Sequence, residues 1–266
     1  MKDSSLMKYL QEVYAARYFW MHLARIELKN KFRRSKLGIL WTFISPLCLT
    51  AIMSVVFATA FHVDIASYAP YILSGILCWE VFSGSFVGGS YAIVSNDAYI
   101  RQFCHPITIY TLKSAIVVTI SFLISLIALA IWVAVVAPVH LLLAIFTLPM
   151  TLIIYFLFAW SGITIAAFTC TKYRDYPQMA PLILQTLWYV SPVFFQEEMF
   201  QSSSLLQAWF QANPITHMLR LIRAPFIYGE LPSALNYVVS LAFVAVFAFF
   251  AIRINRKNAR DIIFYI

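Results

Sequence analysis

The segment K-F-R-R-S-K-L-G-I-L-W-T-F-I-S-P, from Lys31 to Pro46, marks an abrupt change in the character of this chain. Residues 1–36 contain nine Lys or Arg, whereas no charged residue occurs from Leu37 to Phe61. A basic segment followed by an uncharged stretch of this length is typical of a first transmembrane helix entered from the cytoplasmic side. The remaining membrane crossings can therefore be counted from this point.

The composition argues against a soluble globular domain. Of the 266 residues, 62% are apolar and 11% are charged, whereas typical globular domains have about 25% charged residues. The net charge of +8 does not indicate a nucleic-acid partner, because most basic residues flank apolar runs, as positive-inside topology explains. These features predict an all-α polytopic membrane protein that binds no nucleic acid.

Six apolar segments predict six transmembrane helices with both termini in the cytoplasm. Their bounds are approximately residues 37–61, 69–94, 107–137, 141–168, 178–195 and 234–252. With this layout, 17 of the 19 Lys and Arg residues fall on the cytoplasmic side, and only Arg220 and Arg223 fall outside. This asymmetry follows the positive-inside rule. Residues 37–266 then form a single transmembrane domain.

Three segments outside these spans have a predicted structure of their own. Residues 1–36 are basic and rich in Trp and Tyr, which predicts an amphipathic helix (residues 4–34) in the membrane interface. That helix either only anchors the chain or also contacts a cytoplasmic partner. Residues 95–106 form a polar cytoplasmic hairpin whose short helix Ser95 or Asn96 could cap. Residues 196–232 form two short helices, broken at Asn213-Pro214, that re-enter the membrane from the periplasmic side.

Two spans contain charges that an apolar helix would not need. Span 2 contains Glu80, and a carboxylate at a helix centre costs about 2.5–3.5 kcal/mol on insertion. Its four glycines permit close helix packing, so we expect span 2 to face protein or water. Glu80 then has either a structural role, neutralised or paired, or a role in transport. Span 3 contains Lys113, and we expect its first turns to project into the cytoplasm.

No pattern in the chain points to catalysis. The P-loop motif is absent, so ATP is not bound in that way. The Ser, His and Asp residues form no recognisable nucleophile setting, and the four cysteines lack the spacing of a metal site or disulfide framework. We therefore predict no catalytic residue, no metal site and no cofactor in this chain, and a membrane pathway or scaffold that is energised elsewhere.

Several motifs occur in the order found in ABC-2 permeases that export bacterial polysaccharide. R-R-S-K-L-G-I-L-W-x-x-x-x-P (Arg33–Pro46) resembles the start of their first span. Y-R-D-Y-P, which begins at Tyr173 where Phe is usual, and the later L-W-Y-V-S-P-V-F resemble their fourth loop and fifth span. Asn213-Pro214 with Arg220, Arg223 and Gly229 is similar to their external re-entrant segment. The C-terminal R-D-I-I-F-Y-I resembles the ending of the O-antigen and teichoic-acid branch.

The resemblance implies the transmembrane subunit of an ATP-driven exporter in the bacterial inner membrane. Its substrate would be a long glycan on undecaprenyl diphosphate, with O-antigen favoured over teichoic acid or capsule. The subunit would pair with itself, forming a channel lined by spans 1, 2 and 5, and with two copies of a separate ABC ATPase that binds ATP and Mg²⁺. The N-terminal helix would act as a gate and a second ATPase contact. The coupling residues would be Asn96, Asp97, Tyr99 and Arg101.

Aromatic residues in these spans are candidates for contact with the glycan, because rings can stack on the apolar faces of sugars. The alternative is that they belong to the lipid interface or to helix packing. The candidates are Trp41, Phe43, Trp79, Phe82, Phe86, Trp188, Tyr189 and Phe194.

A basic cluster at the end of the N-terminal helix is a candidate site for the diphosphate, since guanidinium groups match phosphate oxygens. Anchoring to anionic membrane lipids explains the same residues at least equally well. The cluster consists of Arg25, Lys29, Arg33 and Arg34, with Lys31 and Lys36 beside them.

Two other functions stay open at this point. An ABC-2 permease for a drug or a small lipid would share the fold and the coupling hairpin but would need no wide continuous channel. A membrane-embedded glycan or lipid transferase would need acid, base or metal ligands in the membrane, and Glu80 is the only carboxylate deep in a predicted span.

Overall fold

The computed structural model describes residues 6–33, 35–103, 105–196, 203–259, 262 and 265. Arg34 and most of the R-D-I-I-F-Y-I motif lie outside the described residues. Within these ranges the regular structure is entirely helical, as the sequence predicts. The α-helices are α1 (Leu6–Ala15), α2 (Arg17–Phe32), α3 (Trp41–Phe61), α4 (Ile65–Phe86), α5 (Asp97–Gln102), α6 (Thr108–Val136), α7 (Pro138–Lys172), α8 (Tyr176–Val190), α9 (Ser204–Ala212), α10 (Pro214–Arg223) and α11 (Ala234–Asn258).

Among the described residues, five helical segments are long and apolar enough to cross a membrane. They centre on α3, α4, α6, α7 and α11, at the positions of predicted spans 1 to 4 and 6. The predicted fifth span, residues 178–195, instead contains most of α8 and a turn at residues 191–195. With 15 residues, α8 extends about 22 Å, which is less than the roughly 30 Å thickness of the hydrocarbon core.

The N-terminal helix and span 2 differ in detail from the prediction. Helix α4 begins at Ile65, four residues before the expected start of span 2, because the Asp64 carboxylate accepts a hydrogen bond from the amide of Ser67 at 3.0 Å. The helix expected over residues 4–34 is interrupted at Ala16, which turns the chain between α1 and α2. Both changes depend on local backbone hydrogen bonding that hydropathy does not report.

Helix α4 lies at the centre of the helix bundle. About 67% of its most apolar stretch is buried inside the chain, compared with 17% for α3. Small residues permit this packing: a Cβ atom at Gly89 would clash with Cγ1 of Ile163, and one at Gly162 would lie 3.2 Å from Cβ of Ser85. The glycine-rich span therefore faces protein, as its composition predicts.

Polar contacts place several helix ends at the same end of the bundle. The hydroxyls of Tyr9 and Thr108 share a 2.6 Å hydrogen bond, and Nδ2 of Asn255 donates to the Tyr9 hydroxyl at 3.2 Å. Helix α1, the start of α6 and the end of α11 therefore meet at one end of the bundle. We call it the basic end, because Arg256 and Lys257 lie in the last turn of α11. At the opposite end, the ring of His140 lies directly against Gly229.

Candidate transport and coupling sites

A cavity of about 310 Å³, lined by both polar and apolar residues, lies between α2, α3, α4 and α6. Glu80 faces this cavity, although the residues on both sides of it in α4 are buried in the helix bundle. On another wall, Nζ of Lys31 donates a hydrogen bond to the Ser121 hydroxyl at 3.0 Å. Trp41 contributes an indole ring to the lining.

The chemistry of this cavity, which we call the Glu80 cavity, suits a hydroxyl-rich ligand. A carboxylate accepts hydrogen bonds from hydroxyls, an ammonium group donates them, and an indole offers an apolar face. Thr42, Ser83 and Ser121 add hydroxyls that can do both. The cavity also explains how an apolar helix accommodates Glu80, since its side chain is exposed to a space that it shares with Lys31, Thr42 and Ser121.

The eight aromatic candidates occupy different environments. Trp79 and Phe82 are 7% and 3% exposed and stack on each other with ring centroids 5.3 Å apart. Trp188 lies 6.1 Å from Trp79, and Phe194 lies 5.0 Å from Trp188. Phe86 contacts Phe158 of α7, and Phe43 lines a separate apolar cavity with residues of α6. Five of the eight therefore pack within or against the core of the chain.

Trp41 and Tyr189 have a different environment from these packed rings. Their side chains are 50% and 62% exposed. Trp41 also lines the Glu80 cavity, where Nε1 of its indole donates to the Ser35 hydroxyl at 3.1 Å. Among the aromatic candidates, these two have the largest free surface for a ligand or another protein.

Three members of the basic cluster share one exposed face. Arg25, Lys29 and Arg33 recur at intervals of four residues along and just after α2, and all three are exposed. Residues at this spacing align on a helix. The arrangement can bind phosphate oxygens or anionic headgroups, while Arg34 lies outside the described residues.

The predicted coupling hairpin contains the short helix α5, preceded by a 3₁₀ turn at Val94–Asn96. The side chains of Asp97 and Arg101 form an ion pair on its exposed surface, and Tyr99 is also exposed. Asn96 differs from them, because its side chain is buried and does not cap α5. Asp97, Tyr99 and Arg101 are thus accessible to a partner, whereas Asn96 faces the interior of the chain.

Lys113, which the sequence places in turns that project into the cytoplasm, has a buried side chain. Its side chain is only 6% exposed, and its Nζ lies 2.7 Å from Oε2 of Glu27 in an ion pair. Nζ also donates to Oδ1 of Asn96 at 3.0 Å. Helix α2 packs along α6 and covers its first turns, and the projection of these turns into the cytoplasm stays a prediction. The signal available in the sequence was that a lone charge in an apolar helix requires a partner.

Arg223 is a second buried cation whose environment the sequence did not reveal. Its guanidinium donates to the carbonyls of Pro192 and Val193, both at 2.7 Å, and to the hydroxyls of Tyr71 and Ser74 at 2.8 and 3.3 Å. It also stacks on Tyr71, with Cζ 3.6 Å from the ring centroid. Arg223 therefore fastens the turn after α8 to α4 and α10.

The described residues contain no group of three His, Cys, Asp or Glu side chains arranged to hold a metal ion. The candidate sites described above are the Glu80 cavity, the exposed basic face of α2 and the surface of α5. They are suited to binding and to conformational contact.

Comparisons with known proteins place this arrangement in a family. The family model described as ABC-2 type transporter matches residues 18–227. An O-antigen export system permease protein RfbA from Myxococcus xanthus is 26% identical over 254 residues, which cover 91% of this chain and 92% of that protein.

Two proteins of Klebsiella pneumoniae with the same name are also similar. Both are 22% identical, over 207 and 224 residues that cover 77% and 83% of this chain. The family match extends from α2 to the segment just before α11 and includes the Glu80 cavity, α5 and Arg223. With this match and five apolar helices of spanning length, the chain belongs to the ABC-2 type transporter family, as a multi-pass permease of the bacterial inner membrane.

Proposed function

We propose that this chain is the transmembrane subunit of an ATP-driven exporter that moves an undecaprenyl-diphosphate-linked polysaccharide, O-antigen, from the cytoplasm to the periplasm. The observation that carries the proposal is the similarity, over 91% of the chain, to a permease named for O-antigen export. The chemistry of the Glu80 cavity agrees with it, because carboxylate, ammonium, hydroxyl and indole groups together suit a sugar.

The proposed topology has six crossings, with both termini in the cytoplasm. The contacts of Tyr9 with Thr108 and Asn255 support it, because they bring the N-terminal helix and the end of α11 to the basic end. Helix α7 returns to this end at Lys172, whereas α11 starts at the opposite end, near Gly229. The chain between them has to pass from one end to the other, and we assign this sixth crossing to α8 together with the turn at residues 191–195, since α8 alone is shorter than the hydrocarbon core.

Segment 196–232 lies on the periplasmic side in this topology and re-enters the membrane. Its described part contains α9 and α10, which are separated at Asn213-Pro214 as the sequence predicts. Asn213 caps α10 by accepting a hydrogen bond from the amide of Ile215 at 3.0 Å. Nearly all of α10 is buried, which favours insertion into the bundle over a free external loop.

A second copy of the chain completes the channel in this proposal. Apolar side chains of α3 and α8 are exposed in the single chain, including Ile52 and Leu182. Trp41 lies at the start of the first surface and Tyr189 near the end of the second. Pairing across these surfaces would place the two most exposed aromatic candidates and the mouth of the Glu80 cavity beside the dimer axis.

Two copies of a separate ABC ATPase, which bind ATP and Mg²⁺, supply the energy. We assign the ATPase contact to α5, whose exposed residues include Asp97, Tyr99 and Arg101, and a gating role to α2. The exposed basic face of α2, with Arg25, Lys29 and Arg33, receives the diphosphate or the headgroups of membrane lipids. The chain itself binds no cofactor in this proposal.

Deletion of the gene tests the function directly. Glycolipids extracted from the deletion strain are sized by mass spectrometry, surface polysaccharide is assayed in parallel, and the wild-type gene is restored as a control. Full-length lipid-linked glycan inside the cell with a bare surface is the expected result. Absence of long glycan would instead place the chain in synthesis. Unchanged glycan in both assays would favour a permease for a drug or a small lipid.

A further inference from the structure

Lys113 connects α2, the proposed gate helix, to the coupling segment, which consists of α5 and the residues directly before and after it. It is the only charged residue of α6, and its ammonium group lies 2.7 Å from Oε2 of Glu27 and 3.0 Å from Oδ1 of Asn96. Glu27 belongs to α2, and Asn96 is the residue before α5. One buried side chain therefore holds together two segments that are separate in sequence.

Asn96 is itself held in a single orientation. Its Nδ2 donates to the carbonyl of Ala92 at 2.8 Å and to the Ser95 hydroxyl at 3.1 Å, which leaves Oδ1 to accept from Lys113. On the other side, Ser114 donates to Oε1 of Glu27 at 3.4 Å. The ammonium group thus bridges two acceptors that are already fixed by neighbouring groups.

A second contact joins the same two segments. The ring of Phe19 in α2 lies 6.2 Å from Tyr99, 6.0 Å from Phe103 and 4.9 Å from His105, measured between centroids. Phe19 and Glu27 are eight residues apart and therefore about 12 Å apart along α2. Two attachments at this separation resist both sliding and rotation of α2 relative to the coupling segment.

The two attachments share one face of α2. Phe19, the buried Leu23 and Glu27 recur every four residues and therefore align along the helix. The basic residues Arg25, Lys29 and Arg33 lie on a different face and are exposed. A helix that only anchored the chain to lipid would not need an acidic partner on its inner face for the buried ammonium group of Lys113, since removing a charge from water is costly unless it is paired.

We propose that Lys113 is a positioning residue that makes α2 and residues 94–105 move as one body, so that displacement of α5 by the ATPase is passed directly to the gate. This inference rests on the proposed coupling role of α5. It explains why Asn96 is buried while Asp97, Tyr99 and Arg101 are exposed: three residues face the partner, and Asn96 carries the inward connection.

Distance measurements in the purified complex with its ATPase in lipid nanodiscs test the proposal. Spin labels replace Tyr18 in α2 and Ala98 in α5, with a reference label at Leu142 of α7, after replacement of the four native cysteines by alanine; all three labelled positions are exposed. Between nucleotide-free and ATP-bound states, we expect the 18–98 distance to stay constant while both distances to 142 change. An 18–98 distance that changes with nucleotide, or fixed distances to 142, would overturn the proposal.

Variants test whether Lys113 and its partner Glu27 keep the distance between α2 and α5 constant. In Lys113→Gln and Glu27→Gln, we expect the 18–98 distance to vary with nucleotide and substrate-stimulated ATP hydrolysis to fall about fivefold or more, the lower end of typical coupling effects. The charge swap Glu27→Lys with Lys113→Glu should restore neither readout, because a carboxylate at position 113 cannot donate to Oδ1 of Asn96. The matched controls Glu12→Gln and Lys257→Gln, at exposed positions, should leave both unchanged.

Two further outcomes distinguish a failure of this proposal from a folding defect of the variant and from a wrong assignment of the substrate. If Lys113→Gln does not assemble, Phe19→Ala, which weakens the second attachment, must give the same loosening of the 18–98 distance, and an unchanged distance there contradicts the proposal. If the deletion strain shows a substrate other than O-antigen, the distances are still expected to follow this pattern. If every variant keeps the wild-type 18–98 distance and the wild-type stimulation of ATP hydrolysis, the role of Lys113 is refuted. The proposed export function would not be affected by that result.

Discussion

Gly75 of α4 lies directly against the guanidinium group of Arg223 in α10. A Cβ atom at Gly75 would stand 2.8 Å from Nη2 of Arg223 and 2.5 Å from the carbonyl oxygen of Val193. Any larger residue at position 75 must therefore displace either the arginine or the turn that follows α8. The relationship links the middle of span 2 to the segment that precedes α9 and α10.

The Gly75→Ala variant should be destabilised by about 1–3 kcal/mol, the usual cost of overpacking a core. The obstacle is a backbone carbonyl, which cannot move without shifting the whole turn at residues 191–195. Gly88→Ala is the matched control, because no atom lies within 4 Å of a Cβ built there. Thermal unfolding in detergent compares them, and equal melting temperatures would contradict this packing.

Arg223→Lys should also destabilise the protein, by about 2 kcal/mol or more. A lysine has no planar fork, so it cannot donate to the carbonyls of Pro192 and Val193 and to Tyr71 at once, and each buried acceptor left unpaired costs about 1–3 kcal/mol. The same change at the exposed Arg256 should have little effect. The melting temperatures of both variants measure the difference. If Arg223→Lys melts at the same temperature as the wild type, Arg223 does not hold the turn after α8 in place.

The six-crossing topology predicts opposite accessibility of the two ends of α8. In a cysteine-free background, a cysteine at Tyr173 should react with a membrane-impermeant maleimide only after the cells are opened. A cysteine at Leu205, an exposed residue of α9, should react in spheroplasts with intact membranes. Labelling of both positions from the same side would show that α8 does not cross.

Pairing of two copies predicts disulfide cross-links along α8. A single cysteine at Leu182, which is 67% exposed, should form a covalent dimer on mild oxidation in membranes. Leu142 of α7, which is also strongly exposed, serves as the control because its helix lies outside the proposed interface. Non-reducing electrophoresis measures the dimer, and cross-linking at Leu142 alone would place the interface elsewhere.

Glu80→Gln tests the cavity as part of the substrate path. The variant keeps the shape of the side chain but replaces one carboxyl oxygen with an amide nitrogen, so a sugar hydroxyl that donates to that oxygen is left without its acceptor. We expect export to fall about tenfold, within the roughly 1–3 kcal/mol that an unpaired buried polar group costs.

Surface polysaccharide per unit of membrane-inserted protein is the appropriate measure for this variant. The exposed Glu230→Gln is the control, since it makes the same chemical change outside the cavity. Full export by Glu80→Gln would assign Glu80 a purely structural role.

The sequence predicted the positions of the long apolar helices well, because hydropathy is a local property of the chain. The break at Asn213-Pro214 was equally readable, since proline cannot continue a helix and asparagine caps the next one. The start of α4 at Ile65 was missed by four residues, because the cap at Asp64 is a matter of one hydrogen bond. The length of α8 was overestimated, since the apolar run continues through the turn at residues 191–195.

The candidate sites were less accessible to sequence reasoning. Trp79 and Tyr189 looked alike as aromatic residues in apolar spans, yet one is 7% exposed and the other 62%. Which side of a helix faces its neighbours depends on how the helices are rotated in the bundle, and in uniformly apolar helices such as α3 and α11 the sequence shows no marked polar face to indicate it.

The sequence alone thus determined the class of protein, the number of long apolar runs and the basic residues that flank them, since these follow from the transfer of each segment into lipid. The tertiary structure decided which polar groups meet. Lys113 and Glu27 are 86 residues apart, and Arg223 and Ser74 are 149 apart. Such pairs depend on the packing of three or more helices, because only there do two distant polar groups lose water together and have to satisfy each other.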